Sequence, residues 1–159
     1  MEDSLFLRAV TKEDCDVIFD WANDELTRAQ SFNTSKILYE DHVRWFEKKV
    51  ESSNTYFYIL VNDGVDVGTV RVDIVDNIPE YLGDKVGLIS YSVAPEHRGR
   101  GFGIVILSLL EDKMKDESDI SVLVGEVKNT NKASCAIFEF LKYDVCSQDE
   151  NMTVYVKQL

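Results

Sequence analysis

One stretch of the chain, Val86 to Lys115, limits the possible folds more than any other. Val86 to Ala94 is apolar on both alternating faces, the pattern of a strand inside a sheet covered on both sides. From Gly101 on, Ile104, Leu107, Leu110 and Met114 recur at helical spacing, widened by Ile106 and Leu109, so a broad apolar helix follows. The turn between them reads Pro95-Glu-His-Arg98-Gly99-Arg100-Gly101-Phe102-Gly103. Glycines let a backbone approach a bulky ligand closely. The first helical turn leaves N–H groups unpaired at the positive end of the helix dipole. Together these define an anion site, most often for phosphate. Arg98 and Arg100 add guanidinium groups that suit phosphate oxygens. The dinucleotide fingerprint G-x-G-x-x-G is not met, because its sixth position is Ile104, and the Gly-Lys-Ser/Thr of a Walker loop is absent. The spelling that fits is R-x-x-G-x-G, from Arg98 to Gly103.

The net charge of −12 makes that local positive pocket conspicuous. A field of this sign repels nucleic acid and anionic membranes and favours a cationic or amine-bearing partner. No apolar run reaches the roughly 18 residues of a membrane helix, and the acidic start Met1-Glu-Asp-Ser-Leu5 does not read as a signal peptide. Cys15, Cys135 and Cys146 are odd in number and lack metal-ligand spacing, which points to reduced thiols in a cytoplasm. His42 and His97 are too far apart in sequence to suggest a metal site.

The remaining elements follow from periodicity. Leu5–Val10 reads as a strand, and Thr11–Asp14 as a capping box before a helix carrying Val17, Ile18, Trp21 and Ala22. A second helix runs from Tyr39 to Glu51 with its stripe at Tyr39, Val43, Phe46 and Val50. Arg28–Lys36 between them reads as an irregular loop, of a length often functional. Thr55–Val61 is a strand, Asn62-Asp63-Gly64 a hairpin turn, and the next strand changes apolar parity across Gly68-Thr69, which predicts a bulge there. Asp76–Lys85 is a loop, Ser121–Val127 a strand, Asn131–Leu141 a helix and Met152–Val156 a last strand. Residues 1–159 therefore read as one α/β domain, a central mixed sheet with helices on both faces. Trp21, Phe138 and Phe140 are expected in the core, and Asn131 as a helix N-cap. Glu111–Glu117 is expected as a solvated helix end, His42 at a helix surface or core rim, and His97 as a solvated neighbour of the anion loop. Cys135 reads as a small buried apolar residue.

The Arg98–Gly103 pattern resembles the signature with which GNAT acetyltransferases hold the pyrophosphate of acetyl-CoA. Gly125-Glu-Val-Lys-Asn-Thr-Asn131-Lys-Ala-Ser134, running into a helix that ends near Tyr143, is similar to that family's second signature. The resemblance spans essentially the whole chain. It implies a splayed pair of parallel strands, Val86–Ala94 and Ser121–Val127, with the pantetheine arm in the gap. It implies that Tyr91, Ser92, Val93, Arg98, Gly99, Arg100, Gly101, Phe102, Gly103, Asn131 and Ser134 hold acetyl-CoA, and that the Val93 N–H polarises the thioester oxygen. A free amine then attacks the thioester directly, so no cysteine nucleophile is needed. Glu126, which interrupts an apolar strand, matches a position where some members carry a base, with Asp73 as second candidate. Many members place a tyrosine seven residues after the helix asparagine to protonate the CoA thiolate. Here that residue is Phe138, which leaves Ser134, Tyr91 or water for the task. Lys142 also departs from the usual glycine.

In such enzymes the N-terminal half selects the amine. Asp20–Arg28, Ser31–Asn33 and His42–Phe46 resemble a subgroup that acetylates nucleotide-linked amino sugars. Trp21, Phe32 and Trp45 offer flat faces, and Asn23, Asn33 and Arg28 polar contacts. Protein N-termini or lysines are the alternative acceptors, and a non-catalytic acetyl-CoA-binding module the alternative class. A monomer or homodimer is expected. Replacing Glu126 with Gln is predicted to lower turnover about tenfold or more while leaving acetyl-CoA binding nearly unchanged, measured by thiol release and calorimetry; unchanged turnover removes Glu126 from the chemistry.

Overall fold

The computed structural model describes residues 4–76, 78–81 and 83–159. Seven strands form one sheet: β1 Leu5–Ala9, β2 Thr55–Asn62, β3 Val65–Val75, β4 Val86–Val93, β5 Val122–Lys128, β6 Asp144–Gln148 and β7 Met152–Gln158. Their spatial order is β1-β2-β3-β4-β5-β7-β6, and all neighbours are antiparallel except β4 and β5. Among the described residues five α-helices accompany them: α1 Cys15–Ala22, α2 Glu25–Gln30, α3 Tyr39–Glu51, α4 Phe102–Glu117 and α5 Lys132–Phe140. None is long and apolar enough to cross a membrane.

Local chemistry sets the turns. Asp63 and Gly64 both take positive φ, 50° and 80°, as a two-residue hairpin with the twist of its strands requires. The bulge in β3 lies one residue earlier than the parity change suggests: Leu60 faces Gly68 and Val61 faces Asp66, leaving Val67 as the extra residue. Its carbonyl is not orphaned, because Ala94 N–H donates to it at 2.8 Å.

Burial follows the alternation. On one face α4 and α5 cover the sheet, with Ile106, Leu107, Leu110 and Phe138 packed on Val70, Val72, Ile89 and Leu123. On the other, Ile18, Trp21 and Phe46 pack on Phe57, Ile59 and Val61. Farther along that face, Val86, Val122, Val124, Val154 and Val156 are covered by Ile78 and Tyr81.

Several expectations are corrected. The segment before Ser31 is not all loop: α2 forms there, its first turn capped by the Asp24 carboxylate, which accepts the Thr27 N–H at 3.1 Å. Strand β6 escapes detection because both its faces are largely exposed, so no apolar period marks it. Phe140 is 65% exposed and lies outside the core that holds Phe138. Glu111 is buried rather than solvated and accepts from Lys157 Nζ at 2.9 Å. His42 is fully inside, its Nε2 2.9 Å from the Cys15 carbonyl, and burial pushes its pKa down.

The parallel pair is short. Pairing runs from Val86 opposite Val122 to Ile89 opposite Gly125 and then stops. Both strands continue, held on their outer edges: β4 pairs with β3 as far as Val93, and β5 with β7 as far as Lys128. At the parting point a Cβ on Gly125 would stand 2.5 Å from the Phe138 ring. That ring cannot yield, since it is buried, stacked on Tyr155 at 5.3 Å and edge-packed on Tyr143 at 4.9 Å. Gly125→Ala is therefore expected to cost about 1–3 kcal/mol in urea unfolding, and adding Phe138→Leu to recover part of it; an additive double mutant would refute the collision.

Candidate active site

The parting strands open two cavities that meet. One, of about 370 Å³, lies on the α1–α3 side and is lined by Trp45, Phe57, Arg71, Ser90, Glu126 and Arg28 among others. The second, of about 470 Å³, runs along the loop and the start of α4 and is lined by Val93, Arg98, Gly99, Gly101, Phe102, Gly103 and Ile137 among others. Tyr91, Ser92, Asn131 and Ser134 on one side, and Thr27, Gln30 and Ser31 on the other, line both.

The loop is built as its residues suggest. Gly99 and Gly101 take φ of 76° and 81°, which only glycine adopts without strain, and a Cβ on either would meet open space. Gly101 is the N-cap of α4, so the unpaired N–H groups of the first turn begin at this open surface. Gly103 serves packing instead, since a Cβ there would lie 2.7 Å from Ile137. The N–H of Ala94 is committed to β3, so alternation along the strand turns the Val93 N–H the other way, into the gap.

The two arginines divide. Arg98 lines the second cavity, but its guanidinium is ion-paired with Asp24 and donates to Thr27 Oγ1 at 3.2 Å. That bond holds the Asp24 carboxyl below its ordinary pKa and fastens α2 to the glycine loop. Lys128 Nζ fastens the other end, donating to the Ala29 carbonyl at 3.2 Å. Arg100, expected to hold acetyl-CoA, lines neither cavity: its guanidinium stacks over Phe102 at 4.9 Å and lies 3.1 Å from His97 Nδ1.

Of the candidate bases, Glu126 is the first β5 residue beyond the last paired position, exposed into the first cavity. Asp73, the second candidate, lines neither cavity and is held in ion pairs with Lys49 and Arg71. Burial alone would raise its pKa, but hydrogen bonds from Lys49, Arg71 and Thr55 at 2.8, 2.8 and 3.0 Å hold it below the ordinary range. Phe138 fills the space beneath Gly125, and Tyr91 on β4 lines both cavities. Tyr91 Oη lies 2.8 Å from Ser134 Oγ, its ring edge-on to Phe138 at 6.3 Å. Burial pushes the Tyr91 phenol up, partly offset by Ser134, so it is protonated at neutral pH. Asn131 caps α5 by accepting the Ser134 N–H at 3.2 Å, so it both starts that helix and faces the cavities.

Other expected acceptor contacts hold the scaffold. The Asn23 amide exchanges hydrogen bonds with the Ile37 backbone at 2.8 and 2.7 Å. Arg28 donates to the carbonyls of Ala22, Asn33 and Ser35 at 2.7, 3.0 and 3.2 Å, so it organises the segment after α2, and the Asn33 side chain accepts the Ser35 N–H at 3.0 Å. Trp21 is core, whereas Phe32, Trp45 and Phe57 line the first cavity. Arg71 was overlooked in the sequence. It lies 4.9 Å over the Trp45 ring and 5.9 Å over that of Phe57, and in the sequence only its place between Val70 and Val72 on a strand could have marked it.

A split parallel pair, an open glycine loop at a helix N-terminus and a carboxylate at the split define a fold and site for acyl transfer from a CoA thioester. The acetyltransferase (GNAT) domain model matches residues 4–143, and the chain belongs to that family of acetyl-CoA-dependent N-acetyltransferases. No curated protein sequence matches it significantly. Among solved structures it is similar to spermidine N-acetyltransferase from Vibrio cholerae in complex with CoA and spermine, with 14% identity and TM-score 0.84, covering 98% of this chain and 95% of that one. It is also similar to aminoglycoside acetyltransferase AAC(6')-Ib in complex with coenzyme A, with 16% identity and TM-score 0.81 over 98% and 95% of the chains. Ribosomal-protein-alanine N-acetyltransferase from Brucella melitensis matches with 19% identity and TM-score 0.79 over 97% and 99%.

Proposed function

We propose that the acceptor is an amine carrying an anionic group, and specifically the amino group of a nucleotide-linked amino sugar. The observation that carries this reading is the charge of the first cavity. In a chain of net charge −12, its lining holds two guanidiniums, Arg28 and Arg71, against one carboxylate, Glu126. Arg71 shares Asp73 with Lys49, so that cluster keeps a positive excess. Among the described residues Arg28 has no carboxylate partner, and burial lowers its pKa. Such a lining disfavours polycationic amines and suits phosphate oxygens. The rings of Phe32, Trp45 and Phe57 give a base or sugar flat faces.

The second cavity fits acetyl-CoA. Its glycine loop presents α4 N–H groups and open space to phosphates, and the free edge of β4 faces the gap where the pantetheine arm would pair. Bound there, acetyl-CoA supplies an acyl carbon with a sulfur leaving group. Glu126 takes the proton of the attacking amine, directly or through water. The Val93 N–H hydrogen-bonds the acyl oxygen as negative charge develops on it. As the C–N bond forms and the C–S bond breaks, Tyr91 gives its phenolic proton to the sulfur, and Ser134 holds that hydroxyl in place.

The test follows thiol release from acetyl-CoA with UDP-linked 4-amino and 2-amino sugars, N-terminal alanine peptides, lysine peptides and spermidine. Release only with a nucleotide amino sugar is expected; release only with peptides or spermidine would overturn the acceptor reading. With the productive amine, Tyr91→Phe is expected to reduce kcat about tenfold to a hundredfold at unchanged acetyl-CoA affinity. An unchanged kcat would remove Tyr91 as the acid.

A further inference from the structure

Four residues that line the first cavity stand in one row across the sheet. Phe57 on β2 is opposite Arg71 on β3, and Arg71 is opposite Ser90 on β4. Ser90 is the first β4 residue past the parallel pairing, as Glu126 is the first on β5, so the same register carried one step on sets these two opposite each other. Opposed residues on neighbouring strands send their side chains to the same face. Here that is the face on which Ile18, Trp21 and Phe46 pack. The row therefore runs from an aromatic ring through a guanidinium and a hydroxyl to the carboxylate at the split, all around one space of about 370 Å³.

The guanidinium is fixed in this row. Its Nε donates to Asp73 Oδ2 at 2.8 Å, and Asp73 also accepts from Lys49 Nζ and Thr55 Oγ1 at 2.8 and 3.0 Å. Its Cζ lies 4.9 Å from the centre of the Trp45 ring and 5.9 Å from that of Phe57. Nη2 donates to Ser90 Oγ at 3.3 Å. A guanidinium has more N–H donors than these two bonds use. Held on one edge and backed by rings, it is a preorganised fork for carboxylate or phosphate oxygens. Arg28, the other cation of the lining, spends its donors on the Ala22, Asn33 and Ser35 carbonyls and on Ser31 Oγ, so it shapes the wall. Arg71 and Glu126 are two strands apart, which separates their backbones by about 10 Å, and by more where β4 and β5 part.

We propose that Arg71 is the specificity-determining residue for the acceptor: it binds an anionic group, phosphoryl or carboxylate, set several ångströms from the amine that Glu126 receives, with Ser90 between them. The inference rests on the first cavity being the acceptor site. It adds the residue and the spacing to that reading and does not require a nucleotide. An α-amino acid, with amine and carboxylate on one carbon, is too short for the row. An amino sugar with its amine across the ring from an anomeric phosphate spans it.

The test uses protein saturated with CoA, so that the glycine loop is filled, a further anion reports on the first cavity, and no turnover is needed. Calorimetry compares a 4-amino-4-deoxyhexose 1-phosphate, the methyl glycoside of the same amino sugar, and glycine. The parent is expected to bind the sugar phosphate about tenfold or more tighter than the methyl glycoside, and tighter than glycine. In Arg71→Met the ratio between the two sugars is expected to fall to within about twofold of unity. Arg71→Lys keeps a charge for Asp73 but loses the fork. The ratio is expected to drop there too, which decides the matter if the apolar variant does not fold. No measurable binding of the sugar phosphate, equal binding of the two sugars or of glycine by the parent, or an unchanged ratio in the folded variants would overturn the proposal. The UDP-linked form of the same sugar separates the two readings. An Arg71-dependent ratio with no acetylation of the UDP form sinks the nucleotide reading alone; acetylation of the UDP form with no Arg71 dependence sinks this inference alone.

Discussion

The site depends on one interrupted set of hydrogen bonds. Strands β4 and β5 pair through Ile89 and Gly125 and no farther, yet each stays fixed on its outer edge by β3 or β7. Backbone groups that would normally satisfy each other are thereby left facing a gap, in rigid register. Gly125 allows the buried Phe138 ring to sit against the sheet where the strands part. The candidate site is placed by that parting: Glu126 one residue past it, Tyr91 on the opposite strand, and the glycine loop at the end of β4.

Beside the gap lies α2, a short helix with no buried residue of its own that lines both cavities. Polar bonds hold it, from Arg98 in the glycine loop and from Lys128 at the end of β5. Because one anchor lies in the loop of the second cavity and the other at the end of β5, which lines the first, α2 links the two cavities. The electrostatics are local too. The surface is acidic overall, while Arg28 and Arg71 collect in one cavity, so the field that repels an anion at long range reverses at short range.

Much of this was legible from neighbouring residues alone. The Asn62-Asp63-Gly64 turn, the Arg98–Gly103 loop and the Asn131 cap are made by residues within a few positions of each other, so their types announce their geometry. Tyr39–Glu51 emerged with its bounds intact because its apolar stripe is long and regular. Strand β6 and α2 did not, since neither has a buried face to impose a period. Phe140 and Glu111 were misplaced because their surroundings depend on how the helix they occupy is rotated, and on Lys157 from the end of the chain.

The amino-acid sequence by itself determined the strand–loop–helix unit that receives an anion, the alternating sheet and the position of the interrupting carboxylate. These follow from torsional preference and apolar periodicity, which act over a few residues. Tertiary structure alone decided that Arg98 clamps α2 while Arg100 lines neither cavity, that Asp73 is held in ion pairs with Lys49 and Arg71, and that the Tyr91 and Ser134 hydroxyls meet. Each of these depends on which groups from distant parts of the chain come within hydrogen-bonding reach, and that is set by the packing of the sheet and helices rather than by local spacing.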